Sequence, residues 1–178
     1  MNLQQALTQC RTLVVDGPED ASRSGLMSEL ARHGFTIRHA REALHHLDPT
    51  LPYRELLAMP GRLAVDGSII HELVYGPLRR GHSRVTWIQA LDFAEAVAER
   101  DGALIHLTSS APARPAPCPA AQQPDGADAV SAYARAFRTL AQHVPVVTVD
   151  AGELGHPIRA PAGCPAQLRR MRRKLTVG

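Results

Sequence analysis

The chain has 178 residues, 44% of them hydrophobic, which is enough for one buried core but not for two ordinary domains without a linker. No apolar run approaches the length of a membrane span, and no basic and apolar leader opens the chain, so we expect a soluble, cytoplasmic protein without a membrane partner. The formal charge of +3 includes five positive charges within 169–174, so the rest of the chain carries −2, and a generally basic body is excluded.

The first half of the chain predicts three short strands and one helix. Positions 11–16 (RTLVVD) form a β-branched run that ends in a Gly-Pro turn, and apolar residues at helical spacing follow until Gly34. Brief apolar runs at 35–38 and 62–66 predict the second and third strands, because turn residues bound both runs.

The second half continues the alternation. Helical spacing at 86–102 is followed by a buried strand at 103–107. The segment 109–128 holds five prolines and six alanines in 20 residues, so it predicts a surface segment without regular structure. Apolar spacing at 130–140 predicts another helix, and 144–149 a fifth strand.

Short strands that are apolar throughout and alternate with helices predict an α/β fold. Its core would be a five-stranded parallel sheet with helices on both faces. In such sheets, ligands bind where strands end and helices begin. The residues that follow the first and third strands are therefore the first candidates for a site.

The first strand-to-helix junction has the spacing of a phosphate-binding loop. Residues 17–24 read GPEDASRS, which matches GxxxxGK[ST] with serine at the second glycine and arginine at the lysine. In that motif backbone N–H groups surround a phosphate, the lysine places a charge on the β/γ oxygens, and the last hydroxyl holds magnesium. The residues expected to contact a nucleotide phosphate are Gly17, Ala21, Ser22, Arg23 and Ser24.

Two departures weaken this motif. Ser22 is disfavoured if the backbone needs positive φ, at roughly 1 to 2 kcal/mol, and the guanidinium of Arg23 is wider than a lysine ammonium. The octet also fits a capped helix start after a buried strand, with Asp20, Ser22 and Ser24 as capping residues. Both interpretations remain open on these residues alone.

A second pattern follows the third strand. Residues 64–68 read AVDGS, and the chain continues through HELVYGP at 71–77 to RRG at 79–81. This resembles thymidylate-kinase-like nucleotide kinases, including phage-type and actinobacterial members, in which a strand ends in Asp-Arg and leads into a helix followed by YGP and RG. With the phosphate loop and the proline-rich segment, where these kinases carry a lid, the likeness covers about residues 11–151.

The resemblance implies a P-loop NTPase three-layer sandwich and an ATP- and Mg²⁺-dependent site. Arg23 and Asp66 would be its catalytic residues, and Ser24 and Asp66 would hold the metal. Gly67 replaces the family's arginine, which grips the acceptor's monophosphate, and the loss of such a donor is costly. The lid at 109–128 offers only Arg114, where such lids close with several arginines.

Four residues lie in the stretch that resembles the family's acceptor-binding region: Tyr75, Arg79, Arg80 and Arg84. The three arginines among them would supply cationic contacts to a nucleotide substrate. The alternative is a solvated basic end of a helix, which needs no ligand.

These observations leave three functions open. The first is an active kinase for a pyrimidine or modified nucleotide, and the second is a pseudokinase that keeps a nucleotide pocket but transfers phosphate poorly or not at all. The clustering of changes at one site favours the second. In both, residues 1–151 form the kinase-like domain, with a homodimer implied by the resemblance. The third adds nucleic acid or an acidic partner, bound by the basic tail 169–174 of an irregular extension, 152–178.

Overall fold

The computed structural model of the protein describes residues 1–18, 23–40, 50–108 and 126–152. Helices and strands alternate along these ranges. In chain order they are α1 Leu3–Gln9, β1 Thr12–Asp16, α2 Ser24–Arg32, β2 Thr36–His39, α3 Leu51–Leu57, β3 Leu63–Asp66, α4 Ile69–Arg80, α5 Trp87–Glu99, β4 Gly102–Thr108, α6 Gly126–Leu140 and β5 Val146–Asp150.

The five strands form one sheet in the order β2-β3-β1-β4-β5, and every neighbouring pair is parallel. The parallel sheet predicted from the sequence is therefore confirmed, with all five strands close to their predicted positions. The register pairs Val15 with Asp66 and Asp16 with His106, so Asp16 and Asp66 both lie at the carboxyl edge of the central strands.

Helices cover both faces of this sheet because residues of each strand alternate between two cores. Leu13 and Val15 of β1 pack with Leu7 of α1 and Leu26 of α2. Val14, on the opposite face, packs into a core that residues of α3, α4, α5 and α6 enclose. The fold is thus the predicted three-layer sandwich, and within the described ranges two helices lie on one side of the sheet and four on the other.

The chain leaves the sheet in opposite directions after β1 and after β3. From β1 it passes through α2 to the edge strand β2, whereas from β3 it crosses over β1 through α4 and α5 to reach β4. Adjacent strands that diverge in this way leave a crevice at their carboxyl ends, which is the usual ligand site of open α/β sheets. Asp16 and Asp66 end the two strands.

Two helices were absent from the sequence prediction. In α1, the Asn2 side chain accepts from the Gln5 N–H while the Gln5 side chain accepts from the Asn2 N–H, so a capping box starts this short helix. In α3 a proline lies in the first turn, where its missing N–H costs nothing. Each helix buries a small apolar set that includes Leu7 or Leu57.

The predicted lid boundary at 128 was too far along the chain. Its last three residues belong to α6, which begins at Gly126, and the remainder of 109–128 lies outside the described residues. The extension with its basic tail also lies outside them, apart from Gly152. The helices in the described ranges are all too short or too polar to cross a lipid bilayer.

Candidate functional site

The carboxylate of Asp16, at the end of β1, is fully buried and surrounded by donors. Its Oδ1 accepts from the Gly17 N–H at 2.8 Å and from the Tyr133 hydroxyl at 3.1 Å. Its Oδ2 accepts from the Ser68 hydroxyl at 2.6 Å. A buried charge is tolerated only when it is hydrogen-bonded and paired, so this set of donors fixes Asp16 in one orientation.

The guanidinium of Arg23 supplies the matching positive charge. Its Nη2 donates to the Gly17 carbonyl at 2.7 Å and lies 3.5 Å from Asp16 Oδ1, while Nη1 lies 3.4 Å from Asp66 Oδ1. The Arg23 side chain is 22% exposed, so it is largely folded into the crevice. Arg23 thus links the carboxyl ends of β1 and β3, between which the crevice lies.

Asp66 also faces β2. Its Oδ2 lies 3.0 Å from Nδ1 of His39, whose side chain is mostly exposed. The next residue, Gly67, has φ +85°, a conformation that favours glycine. Ser68 then caps α4 by accepting from the Ile70 N–H at 3.0 Å, while its hydroxyl donates to Asp16. The turn after β3 is therefore locked to the end of β1.

Aromatic rings from α4, β4 and α6 form the inner wall of this crevice. Tyr133 of α6 is fully buried, and its hydroxyl lies 3.1 Å from Nδ1 of His71 on α4. Burial and the nearby Asp16 raise the pKa of Tyr133 far above its usual range, so it is a neutral donor. The His106 ring stacks on Phe137, with ring centroids 4.3 Å apart, and burial lowers the pKa of His106.

Gly17 has a packing role in addition to its place in the loop. A Cβ added there would lie 2.5 Å from the Leu107 carbonyl oxygen and 2.9 Å from Leu107 Cβ. The first loop position therefore approaches β4 too closely for any side chain. Of the other predicted loop residues, Arg23 enters the crevice and Ser24 is the first residue of α2, while Ala21 and Ser22 lie outside the described residues.

The residues predicted to bind an acceptor lie on α4 and just after it. Tyr75 is nearly buried, and the Arg79 guanidinium lies over its ring at 4.6 Å from the centroid. Arg80 pairs with the buried Glu72, which also accepts from the Arg84 N–H at 2.9 Å. Glu72 thus fastens the loop after α4 to the helix. The predicted lid residue Arg114 lies outside the described residues.

A cleft of about 320 Å³ opens beside Asp66, between the end of β2 and helix α3. Its walls are mainly apolar, with Pro52, Leu56 and Met59 opposite His39. Clefts of this size with apolar walls and a few polar groups suit small-molecule ligands. His39 connects the cleft to the crevice because it contacts Asp66.

The carboxylates of the crevice do not present a ready magnesium site. Asp16 accepts from three donors and lies beside Arg23, and each oxygen of Asp66 has a nitrogen of Arg23 or His39 within 3.4 Å. Mg²⁺ needs several oxygen ligands in near-octahedral geometry. Within the described ranges, no group of three or more His, Cys, Asp or Glu side chains is placed to hold a metal. A divalent ion that took Asp16 or Asp66 as a direct ligand would have to displace the guanidinium of Arg23 from that carboxylate.

Sequence reasoning placed Gly17, Arg23 and Asp66 at this crevice but missed Asp16, Ser68, Tyr133 and His39. Asp16 closes a buried strand directly before the loop, and an acidic residue in that position was a usable signal. The other contacts join residues 27 to 117 positions apart in the chain, and no local pattern encodes them.

No protein-family model and no curated protein matches this chain. A solved structure does match: the YorR protein from Bacillus subtilis, crystallised in complex with phosphorylated GDP. The two chains align with a TM-score of 0.61 and 12% sequence identity, over 80% of this chain and 86% of that one. The two chains share an α/β fold, which in this chain is built on a five-stranded parallel sheet. At this identity the likeness concerns the fold, and the bound nucleotide is a property of YorR.

Proposed function

We propose that this protein binds a nucleotide at the crevice between β1 and β3, and that it transfers phosphoryl groups from ATP slowly or not at all. The kinase-like fold and the phosphate-loop spacing of 17–24 support nucleotide binding. The protein would then act as a pseudokinase, in a binding or scaffolding role.

The observation that carries this proposal is the engagement of Arg23. This arginine occupies the position of the lysine that phosphate loops place on the β/γ oxygens. Its guanidinium is instead committed to the Gly17 carbonyl and to the carboxylates of Asp16 and Asp66. A transferring phosphate must compete with both carboxylates for this cation, and stabilisation of the developing charge weakens accordingly.

Gly67 adds a second deficit at the same edge. It follows Asp66 where the thymidylate-kinase-like pattern has an arginine, and a glycine supplies no cationic donor to an acceptor phosphate. Phosphoryl transfer depends on positioning and charge stabilisation more than on a general base. Two weakened cationic contacts at one crevice therefore favour reduced transfer over a shift in the type of reaction.

The alternative is an ATP-dependent kinase for a pyrimidine or modified nucleotide that uses the variant loop. The cleft beside Asp66 favours it, because it offers an apolar place for a base next to the crevice. Arg79 and Arg84, both exposed beyond Tyr75, would then face the acceptor's phosphate, with Arg80 near them. In this case Arg23 must leave its carboxylates during turnover.

ADP formation from ATP and Mg²⁺, measured with a panel of nucleoside monophosphates, distinguishes the pseudokinase from the active kinase. Binding of ATP, ADP and GDP is followed in parallel by calorimetry. Measurable binding without turnover supports the pseudokinase. Turnover that disappears in Arg23→Ala and in Asp66→Asn, but not in the surface control Arg135→Ala, supports the kinase. Absence of both binding and turnover would falsify nucleotide recognition altogether.

The basic tail and the homodimer remain separate proposals. Five positive charges within 169–174 form an electrostatic footprint suited to nucleic acid or an acidic partner. Deletion of 168–178 is expected to abolish salt-sensitive binding to DNA or RNA, and unchanged binding excludes the tail as the contact. Sedimentation of the full chain tests the homodimer.

A further inference from the structure

Two carboxylates at the ends of neighbouring strands require a shared positive charge. Asp16 is fully buried and the Asp66 side chain is 19% exposed, so water does not screen them well. The Arg23 guanidinium lies 3.5 Å from one and 3.4 Å from the other. A hydrogen bond of 2.7 Å from Arg23 to the Gly17 carbonyl also holds the guanidinium there. This bond does not involve either carboxylate.

The remaining polar atoms of the crevice fix this arrangement from the other side. Ser68, Tyr133 and the Gly17 N–H complete the donors of Asp16, and His39 lies against the outer oxygen of Asp66. Each carboxylate therefore has defined partners and turns its Oδ1 toward the same guanidinium. A cation of fixed position between acidic residues is what a divalent metal supplies in a phosphate site.

We propose that Arg23 is a built-in counter-ion that takes the place of the divalent cation at this crevice, so that the protein binds its nucleotide without Mg²⁺. A guanidinium carries five N–H donors, more than Gly17, Asp16 and Asp66 take up, so it can hold the carboxylates and also donate to a phosphate oxygen. The statement about the ligand rests on the proposed nucleotide binding. The statement about the counter-ion concerns the ligand-free protein alone.

The ligand-free protein provides the first test. Thermal melting is measured for the full chain and for Arg23→Gln, each in EDTA, in 10 mM Mg²⁺, in 10 mM Ca²⁺, and in sodium chloride of matched ionic strength, concentrations of about the order used for weak divalent sites. We expect the wild-type melting temperature to be the same in all four. Arg23→Gln should melt lower in EDTA and recover in part with either divalent ion, because a hydrated ion can then enter between the carboxylates.

Two matched variants sharpen this result. Arg135→Gln removes an exposed arginine of α6 and should change neither the melting temperature nor the response to metal. Arg23→Lys keeps a cation at the position, so its melting temperature should lie between those of the wild-type protein and Arg23→Gln. It should also respond little to divalent ions. It also serves as the folded reference if Arg23→Gln does not fold.

Three outcomes overturn the counter-ion. The first is specific stabilisation of the wild-type protein by Mg²⁺. The second is an Arg23→Gln protein that melts like Arg135→Gln, and the third is a destabilised Arg23→Gln protein that responds to neither ion. For the ligand, ADP and GDP are titrated in EDTA and in Mg²⁺. The dissociation constants in the two conditions are expected to agree within about threefold, which is well below the tenfold change that corresponds to about 1.4 kcal/mol. A tenfold tightening by Mg²⁺ overturns metal-free binding, whereas no binding at all contradicts the proposed function and leaves the melting result intact.

Discussion

At the scale of single residues, Tyr133 is the side chain through which α6 reaches Asp16. Tyr133→Phe removes only the hydroxyl, which leaves Oδ1 of a fully buried carboxylate with one donor fewer. We expect a loss of about 1 to 3 kcal/mol in the free energy of unfolding, measured by urea denaturation. Tyr53→Phe is the comparison variant: Tyr53 is also buried and packs edge-on against Phe93, and Asp16 acts on it through its charge, whereas the Tyr133 hydroxyl donates a hydrogen bond to Asp16. Equal losses in both variants would contradict a special role for Tyr133.

The burial of His106 predicts the sign of a pH dependence in the free energy of unfolding. Burial lowers its pKa in the folded state below the ordinary value of 6.5, with nearby Asp16 acting in the opposite direction. Below pH 6.5 the unfolded chain therefore binds more protons than the folded one, so stability falls as pH drops toward the folded pKa. We expect the urea midpoint to decline between pH 7.5 and about 5.5, and the decline to be smaller in His106→Phe, which keeps the stacking on Phe137. Parallel curves for the two proteins would exclude His106 as the source.

The contacts of Arg23 show why the geometry of a site is harder to predict from sequence than the presence of a motif. The spacing of 17–24 located Arg23 but did not indicate that its charge turns toward Asp16. That contact depends on the sheet register, which brings the ends of β1 and β3 side by side, and on a helix far along the chain that delivers Tyr133. Local sequence encodes neither.

At the scale of secondary-structure elements, Glu72 holds the loop after α4 in place. Its buried carboxylate receives the Arg80 guanidinium and the Arg84 N–H. Glu72→Gln keeps an acceptor but removes the charge, and we expect a loss of about 1 to 3 kcal/mol by urea denaturation, at the low end because Arg80 is partly exposed. Glu99→Gln, on the surface of α5, should cost under about 0.5 kcal/mol. Similar costs at both positions would show that the loop does not depend on Glu72.

The elements themselves were largely predictable, and the exceptions have physical causes. The strands were found because buried parallel strands are short apolar runs bounded by turns. Helices α1 and α3 were missed because each has seven residues, about two turns, and too few apolar positions to establish a helical period. Their start signals, the capping box at Asn2 and the early Pro52, are present in the sequence.

At the scale of the whole molecule, the two cores share one sheet, so we expect them to unfold together. Leu7 lies fully buried in the core under α1 and α2, whereas Trp87, the single tryptophan of the chain, starts α5 on the opposite face. Leu7→Ala should cost about 2 to 5 kcal/mol. In a two-state transition, tryptophan fluorescence and far-UV circular dichroism should report the same lowered urea midpoint. A fluorescence transition that stays in place while the circular dichroism transition shifts would contradict a single cooperative unit. The control is Leu3→Ala, at a half-buried position of α1, which should lower both urea midpoints by less.

The left-handed backbone at Gly67 restricts which residue can replace this glycine. An arginine at this position would have open space, since the nearest contact of an added Cβ is Ala40 at 3.8 Å, but it would start from φ +85°. A residue with a side chain is strained in that region by roughly 1 to 2 kcal/mol. An arginine substituted at this position would have to bear that strain or change the turn, and Ser68 anchors the turn to Asp16. Adding a cation at this corner therefore costs backbone energy before it gains any contact with a ligand.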